Sequence, residues 1–482
     1  MPSAEKSRDS GHRIKGKRSE AAVFSVEHAL NETKITGDVA FLCEEFKKYS
    51  DIPPELYENA NVKRGLRNAD GTGVLAGLTK ICNVHGYLLD EGELLPVDGK
   101  LTYRGYNVSD FVRDCIATNR YGFEEICWLL LFGSLPGHTQ LARFTELLAK
   151  CRELPEGFNE DMIFTAPSQN IMNKLARSVL ALYSYDANPD ECSLENILRQ
   201  SIQLIARMPT IMVSSYQIKR RYYDRKSMYF HQTEAEFSTA QNILRTLRSD
   251  KQFTEDEAHL LDLCLMLHAE HGGGNNSTFA CRVLSSSGTD TYSAIAAAIG
   301  ALKGPRHGGA NLKVLEMMEY VKESVTDWKD EGQIKDVLAK ILRKEGGDGS
   351  GLIYGIGHAV YTKSDPRAIL LREQAEHLAS VKGYGPVLEL YERVERLAPQ
   401  VFADFKGGSK SVCANVDFYS GLIYEMLSIP PELFTPLFAI SRISGWCAHR
   451  IEEVTTCGRI IRPAYKPAIR EREYVSLEQR GE

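Results

Sequence analysis

The chain has 482 residues, 43% of them hydrophobic, and a formal net charge of −6. That is ample for a large buried core in two or three domains, and the acidic balance argues against a nucleic-acid partner. No apolar run approaches the roughly 18 residues of a membrane-spanning helix, so no membrane partner is expected either.

In chain order, the first twenty residues are polar and mixed in charge, with Lys6, Arg8, Arg13, Lys15, Lys17 and Arg18 set among Glu5 and Asp9. They lack the apolar stretch of a secretory signal, and residues 1–20 read as a disordered tail. Gly71-Thr72-Gly73-Val74-Leu75-Ala76-Gly77 loosely resembles a dinucleotide loop, but it has one spacer too many and no strand–helix context. Between Asn83 and Thr102, Gly86, Gly92 and Asp98-Gly99 punctuate short apolar runs, which predicts one small hairpin before Tyr103. Helical periodicity dominates from there on. Phe123, Ile126, Cys127, Leu130 and Leu131 make one apolar face, and Leu175, Val179, Leu182 and Tyr183 a second. Leu260, Leu261, Cys264 and Leu267 make a third, and Ile295, Ala298, Ile299 and Leu302 line a small-residue helix. Leu433, Leu437, Ile440, Ile443 and Cys447 continue the pattern near the end. The fold class is therefore mainly α with a minor β element. The eleven cysteines are scattered, with no Cys-x-x-Cys pair, and read as reduced core thiols of a cytoplasmic protein.

Three acid–base residues stand in glycine-rich or helix-starting segments. His307 follows Gly304-Pro305-Arg306 and precedes an amphipathic pattern, which puts it near a helix N-terminus, where a protonated imidazole is disfavoured. A neutral histidine there can donate to a carbonyl oxygen and stabilise an enol. His358 ends the glycine-dense stretch 346–357, which suits close backbone approach to a ligand or a closing lid. Asp417 follows Asn415, a good N-cap, and a helix N-terminus favours the ionised carboxylate that a general base requires. Two histidines and one carboxylate suffice to remove a carbon-bound proton, polarise one carbonyl and protonate another, as a carbon–carbon condensation requires. Arg367 follows Asp365-Pro366 in a first helical turn, Arg442 interrupts an apolar helix, and Arg462 is flanked by Ile461 and Pro463. Arginines in such contexts either pair with acids of the protein or bind a small dicarboxylate. His268 and His271 could ligate a metal from one helix face, but His271 precedes three glycines and no third ligand has motif spacing, so no metal is expected.

These segments resemble the citrate synthase family. The resemblance is carried by Ala269-Glu270-His271-Gly272, by Gly304 through Asn311, by Gly355-Ile356-Gly357-His358 through Arg367, by Asn415-Val416-Asp417, and by Ser441-Arg442 through Pro463. It runs from about residue 60 to 465, with Gly71–Thr79, Tyr103–Tyr106 and Leu130–Pro136 similar to the family's N-terminal half. It implies a two-domain helical homodimer with shared active sites. The large domain would comprise 21–308 plus 426–482, and the small domain 309–425 would close over substrate. It also implies condensation of oxaloacetate with acetyl-CoA and water to citrate and CoA at entry to the tricarboxylic acid cycle, with no cofactor, since the CoA thioester is a substrate. Asp417 would take the methyl proton, His307 would hydrogen-bond the thioester carbonyl, and His358 would protonate the oxaloacetate carbonyl. His271, His358, Arg367 and Arg442 would hold oxaloacetate, with Arg462 reaching in from the other subunit. Ile353, Gly355, Ile356 and Gly357 would meet the adenine of CoA, and Lys410 a phosphate.

The chain departs from the family at Ile356, usually aromatic, at Thr362, an arginine in some relatives, and at Ala464, where a basic residue is common. These departures bear on the CoA contacts and not on the chemistry. Propionyl-CoA as acyl donor, giving 2-methylcitrate, is the alternative within the same chemistry, alone or as a dual activity. A non-catalytic sensor or scaffold, and a metal-dependent carbonyl enzyme using His268 and His271, are the alternatives outside it.

Overall fold

The computed structural model describes residues 36–68, 70–91, 93–406 and 412–480. The tail predicted for 1–20 and the phosphate contact predicted at Lys410 lie outside the described residues. The described residues form two compact units: those up to 74 together with those from 464 onward, and those of Leu75–Pro463. The first contains helices Thr36–Tyr49 and Pro54–Asn59 and an antiparallel bridge between Arg67 and Gly73. Gly71, with a φ of 87°, lies within that bridged loop, so the glycine run makes a tight turn rather than opening a nucleotide-binding helix.

The second unit is mainly helical and carries one three-stranded antiparallel sheet. Strands β1 (Cys82–Asp90) and β2 (Glu93–Tyr103) pair from Cys82↔Tyr103 to Asp90↔Glu93, with a bulge between His85 and Tyr87, and β3 (Tyr106–Asn107) pairs with β2. Gly86 and Asp98-Gly99, read in the sequence as punctuation, lie inside these strands.

Six helices carry the candidate site: α1 (Glu255–His268), α2 (Asn276–Ser286), α3 (Ala310–Ser324), α4 (Pro366–Lys382), α5 (Val416–Met426) and α6 (Phe434–Glu452). α1 and α6 form the centre. Leu260 through His268 are all buried, and so are Ala439 through Arg450. Gly445 permits their contact, because a Cβ there would lie 2.2 Å from Glu270 Oε2 and 2.5 Å from the Ala269 carbonyl oxygen. The small-residue helix Thr291–Lys303 packs on α2 and on Ile171–Leu182, where Ala294 and Ala298 let backbones approach. The faces predicted at Phe123–Leu131 and Leu175–Leu182 are buried as expected. Cys115, Cys127, Cys264, Cys281 and Cys447 are free thiols, all buried. Among the described residues no helix is long and apolar enough to cross a membrane.

Candidate active site

The C-terminal end of α1 builds the floor of the site. A helix end leaves carbonyl groups without intrahelical donors. Here Tyr103 of β2 donates its hydroxyl to the carbonyls of Met266 (3.1 Å) and Glu270 (3.1 Å), Ser441 donates to Leu265, and Arg442 Nε donates to His268. The chain leaves the helix after His268 and presents His271 from a turn closed by Gly272, whose φ is 89°. The Gly272 N–H donates to Glu270 Oε1 at 2.6 Å.

Arg442 is fully buried. Its Nη1 and Nη2 find no hydrogen-bond partner among the described residues, and its guanidinium lies 4.7 Å over the Phe438 ring. A buried cation with two idle donors is costly. The negative end of α1 and the Glu270 carboxylate offset part of that cost. Burial alone would push Glu270 up, but His449, Arg442 and the Gly272 N–H outweigh it and hold the carboxyl below its ordinary value. Glu270 Oε1 accepts from His449 Nε2 at 3.0 Å, His449 Nδ1 meets Arg282 Nη1 at 2.9 Å, and Arg282 pairs with Glu452 and Glu453. A line of buried polar groups thus anchors the turn that carries His271.

Arg367 behaves differently. Asp365 caps α4 and takes the Nε–Nη2 edge of Arg367 at 3.1 and 2.8 Å. The internal salt bridge weighed from the sequence is present here and, among the described residues, absent at Arg442. The Nη1 corner of Arg367 makes no hydrogen bond among the described residues, and its guanidinium lies 5.9 Å from the Tyr361 ring centre.

His307 sits in a turn two residues before the Gly309 cap of α3. Its ring reads the start of a different helix, α2: the Ser277 N–H donates to Nε2 at 3.3 Å, and Ser277 Oγ lies 3.0 Å away. A backbone N–H can only donate, so Nε2 is the bare nitrogen and Nδ1 carries the hydrogen. Burial, and then the Arg442 charge, push His307 down to about 4, so the imidazole is neutral at physiological pH.

His358 is held the other way round. Val360 and Tyr361 both donate backbone N–H to its Nδ1 at 3.0 Å, leaving the hydrogen on Nε2. The Tyr361 ring stacks on it at 4.7 Å, and His271 meets it edge-on at 5.0 Å. Burial and then the Arg367 charge hold His271 well below its ordinary value, and His268 is held down by burial and then Arg442.

Asp417 opens α5, with Asn415 Oδ1 accepting from its N–H at 3.0 Å. The helix position favours the ionised carboxyl; burial opposes it and pushes the group up to about 6, with Arg367 lowering it, so it is still mostly ionised at pH 7. The His358 and Asp417 loops are stitched together. Ile356 bridges Ala414, the Gly357 N–H donates to Cys413 at 2.7 Å, and the Asn415 N–H donates to Gly355 at 2.8 Å. Gly355, at a φ of 77°, is needed there, because a Cβ would sit 2.7 Å from Val314 of α3 and 2.8 Å from Phe418 of α5.

His271, His307, His358, Arg367, Asp417 and Arg442 therefore gather in one place. The Arg442 charge acts on His271, His307 and Asp417 alike. Ile353 is buried and Gly355, Ile356 and Gly357 lie on the adjoining loop. Arg462 does not join the cluster of its own chain; it is exposed beyond α6. Among the described residues no group of three His, Cys, Asp or Glu is placed to hold a metal ion. His268, weighed as a ligand, instead packs on Phe438 at 4.3 Å. Sequence reasoning missed Ser277, Glu270, Tyr361 and His449 as partners. Their bonds span 30 residues in one case and 179 in another, and no local pattern announces them. Asp365 was visible only as helix punctuation.

A neutral donor, a second donor of opposite tautomer, a raised carboxyl and an unpaired arginine together can enolise one carbonyl compound and present a dianionic one to it. The model of the citrate synthase C-terminal domain matches residues 68–464. The citrate synthase of Synechocystis is 33% identical over 410 residues, covering 85% of this chain and 91% of the relative. The 2-methylcitrate synthase 1 of Corynebacterium glutamicum is 32% identical over 426 residues, covering 88% and 99%. The structure of Thermoplasma acidophilum citrate synthase in ternary complex with carboxymethyl coenzyme A and oxaloacetate superposes with a TM-score of 0.70 at 26% identity, covering 87% of this chain and 99% of that one.

Proposed function

Because the chain belongs to the citrate synthase family, we propose that it condenses oxaloacetate with acetyl-CoA and water to give citrate and CoA. The observation that carries the reading is Arg442, a buried guanidinium with both Nη atoms idle. A dicarboxylate supplies the charge and the acceptors it lacks, and an arginine with a purely structural role would be fully paired with acids or carbonyls of the protein.

Oxaloacetate binds first, one carboxylate on Arg442, with the Nη1 corner of Arg367 and His271 completing the grip and Arg462 of a second subunit joining in a homodimer. The part 309–425 then closes, and acetyl-CoA meets a site with little water. Asp417, ionised above about 6, takes a proton from the thioester methyl group. As the enolate forms, the Nδ1–H of His307 donates a hydrogen bond to the thioester carbonyl oxygen. A neutral donor suits this step, because it stabilises the developing charge without surrendering its proton. The enolate carbon attacks the oxaloacetate carbonyl carbon, and the Nε2–H of His358 protonates the oxygen. Water then cleaves the citryl thioester to citrate and CoA. The backbone at Ile353–Gly357 and Lys410 are assigned to the CoA moiety.

Relatives of both names stand at the same level of identity, so propionyl-CoA, giving 2-methylcitrate, is the second reading. One methylene changes selectivity by about 10–200-fold. Thiol release from each thioester, with and without oxaloacetate and in the presence of chelator, tests both readings. Oxaloacetate-dependent release is expected, and the ratio of kcat/KM values names the donor. No release with either thioester from folded protein that binds oxaloacetate would overturn the proposal. In mixed dimers of Arg462→Ala with Arg367→Ala, one restored site per dimer is expected if the sites are shared.

A further inference from the structure

The His358 tautomer depends on two backbone N–H groups, those of Val360 and Tyr361, and therefore on how that segment is held. The surroundings of this segment supply the restraint. Gly86, at the bulge of β1, is buried against it: a Cβ at Gly86 would lie 2.7 Å from the Val360 carbonyl oxygen and 3.2 Å from Tyr361 Cα. Gly99 of β2 approaches further along, where a Cβ would lie 2.2 Å from the Ser364 carbonyl oxygen and 2.8 Å from Tyr361 Cδ1. The Gly99 N–H donates to Ser364 Oγ at 3.0 Å, and Ser364 Oγ donates to Asp98 Oδ1 at 3.2 Å. Lys363 pairs with Asp98 Oδ2 at 2.8 Å. The same hairpin reaches the neighbouring substrate turn, since a Cβ at Gly272 would meet Val84 Cγ2 at 3.2 Å.

We propose that the β1–β2 hairpin is the positioning element for His358: Gly86 and Gly99 let its backbone lie against Val360–Ser364, which keeps both N–H groups on Nδ1 and the hydrogen on Nε2. The hairpin touches no reacting atom; it acts through the segment it clamps. The bulge at Gly86 serves this role by turning the strand so that its backbone, without a side chain, faces Val360. The exposed Asp98–Lys363 pair contributes little energy and sets register. The consequence for turnover rests on the reading of His358 as the acid of the condensation.

The test is Gly86→Ala in the full chain, read by hydrogen exchange and by steady-state kinetics. The added methyl group must displace the Val360 carbonyl or the strand. Exchange in peptides covering 358–364 is expected to rise about tenfold while exchange elsewhere holds. The value of kcat is expected to fall about 10–100-fold with KM for oxaloacetate within about threefold, as for a donor misplaced by a fraction of an ångström. Faster exchange at 358–364 with unchanged turnover would uphold the clamp and overturn the acid assignment of His358. Unchanged exchange in that segment, or a uniform rise across the chain, would overturn the clamp. Should Gly86→Ala not fold, Asp98→Ala combined with Ser364→Ala removes the side-chain ties without adding bulk, and the same readouts apply with a smaller fall in kcat.

Discussion

Arg442 sits in the middle of a helix and is sealed on all sides, whereas His358 sits on a glycine loop and is held by backbone N–H groups from its own segment. The first is fixed by core packing and left with unmet donors. The second has its ring nitrogen satisfied and is fixed only as well as its neighbours fix it. Electrostatic cost is thus stored at the helical floor, while the loop edge is held by backbone hydrogen bonds. Asp417 lies between the two cases, on a helix start joined to the loop by the Ile356–Ala414 bridge.

The largest effect is expected at Asp417, the proposed base. Asp417→Asn is expected to lower kcat about 10³-fold, within the usual worth of a general base, while calorimetry finds oxaloacetate binding intact. Near-native turnover would remove Asp417 from the chemistry. The same substitution should raise Tm at pH 8 and change it little at pH 4. The folded carboxyl is raised to about 6, above its unfolded value, so its ionised form costs stability above that pH and the cost fades as the pH falls.

Arg442→Met is the sharpest test of the contrast. It should weaken oxaloacetate binding about 100-fold and raise the Tm of the ligand-free protein, because a buried charge without a full complement of partners is removed. A fall in ligand-free Tm would mean that the bond to the His268 carbonyl matters more than the unpaired charge.

The pH profile comes next. Asp417 must be ionised to accept a proton, so kcat/KM should fall about tenfold per pH unit below about 6 and level off above it. His307, pushed down to about 4, should add no second limb between pH 5 and 8. A second limb in that range abolished by His307→Asn would contradict a neutral His307.

The smallest effect is expected at the loop. Gly355→Ala should cost about 1–3 kcal/mol of stability by denaturant titration, since a side chain at positive φ must also displace Val314 and Phe418. No loss would mean that the His358 and Asp417 loops are less tightly joined than their hydrogen bonds suggest.

The helices and the single hairpin were legible because hydrophobic periodicity is a local property, and Phe123–Leu131 and Leu260–Leu267 repeat it with little interruption. His307, His358, Asp417 and Arg442 stood out because acid–base or charged residues beside glycines, N-caps or apolar stripes are locally anomalous. Their protonation near neutral pH was legible, but its causes were not. The helix-start argument favoured an ionised Asp417, which burial raises to about 6, and a neutral His307, which burial and the Arg442 charge push down to about 4 while the N–H donor to its ring comes from α2. What only the tertiary structure decided were the partners: Asp365 for Arg367, none among the described residues for the Arg442 Nη atoms, Ser277 for His307, and a strand hairpin far back in the chain against the His358 segment. Secondary structure follows from neighbours in sequence, but pKa, tautomer and charge balance follow from neighbours in space, which a single chain of letters does not list.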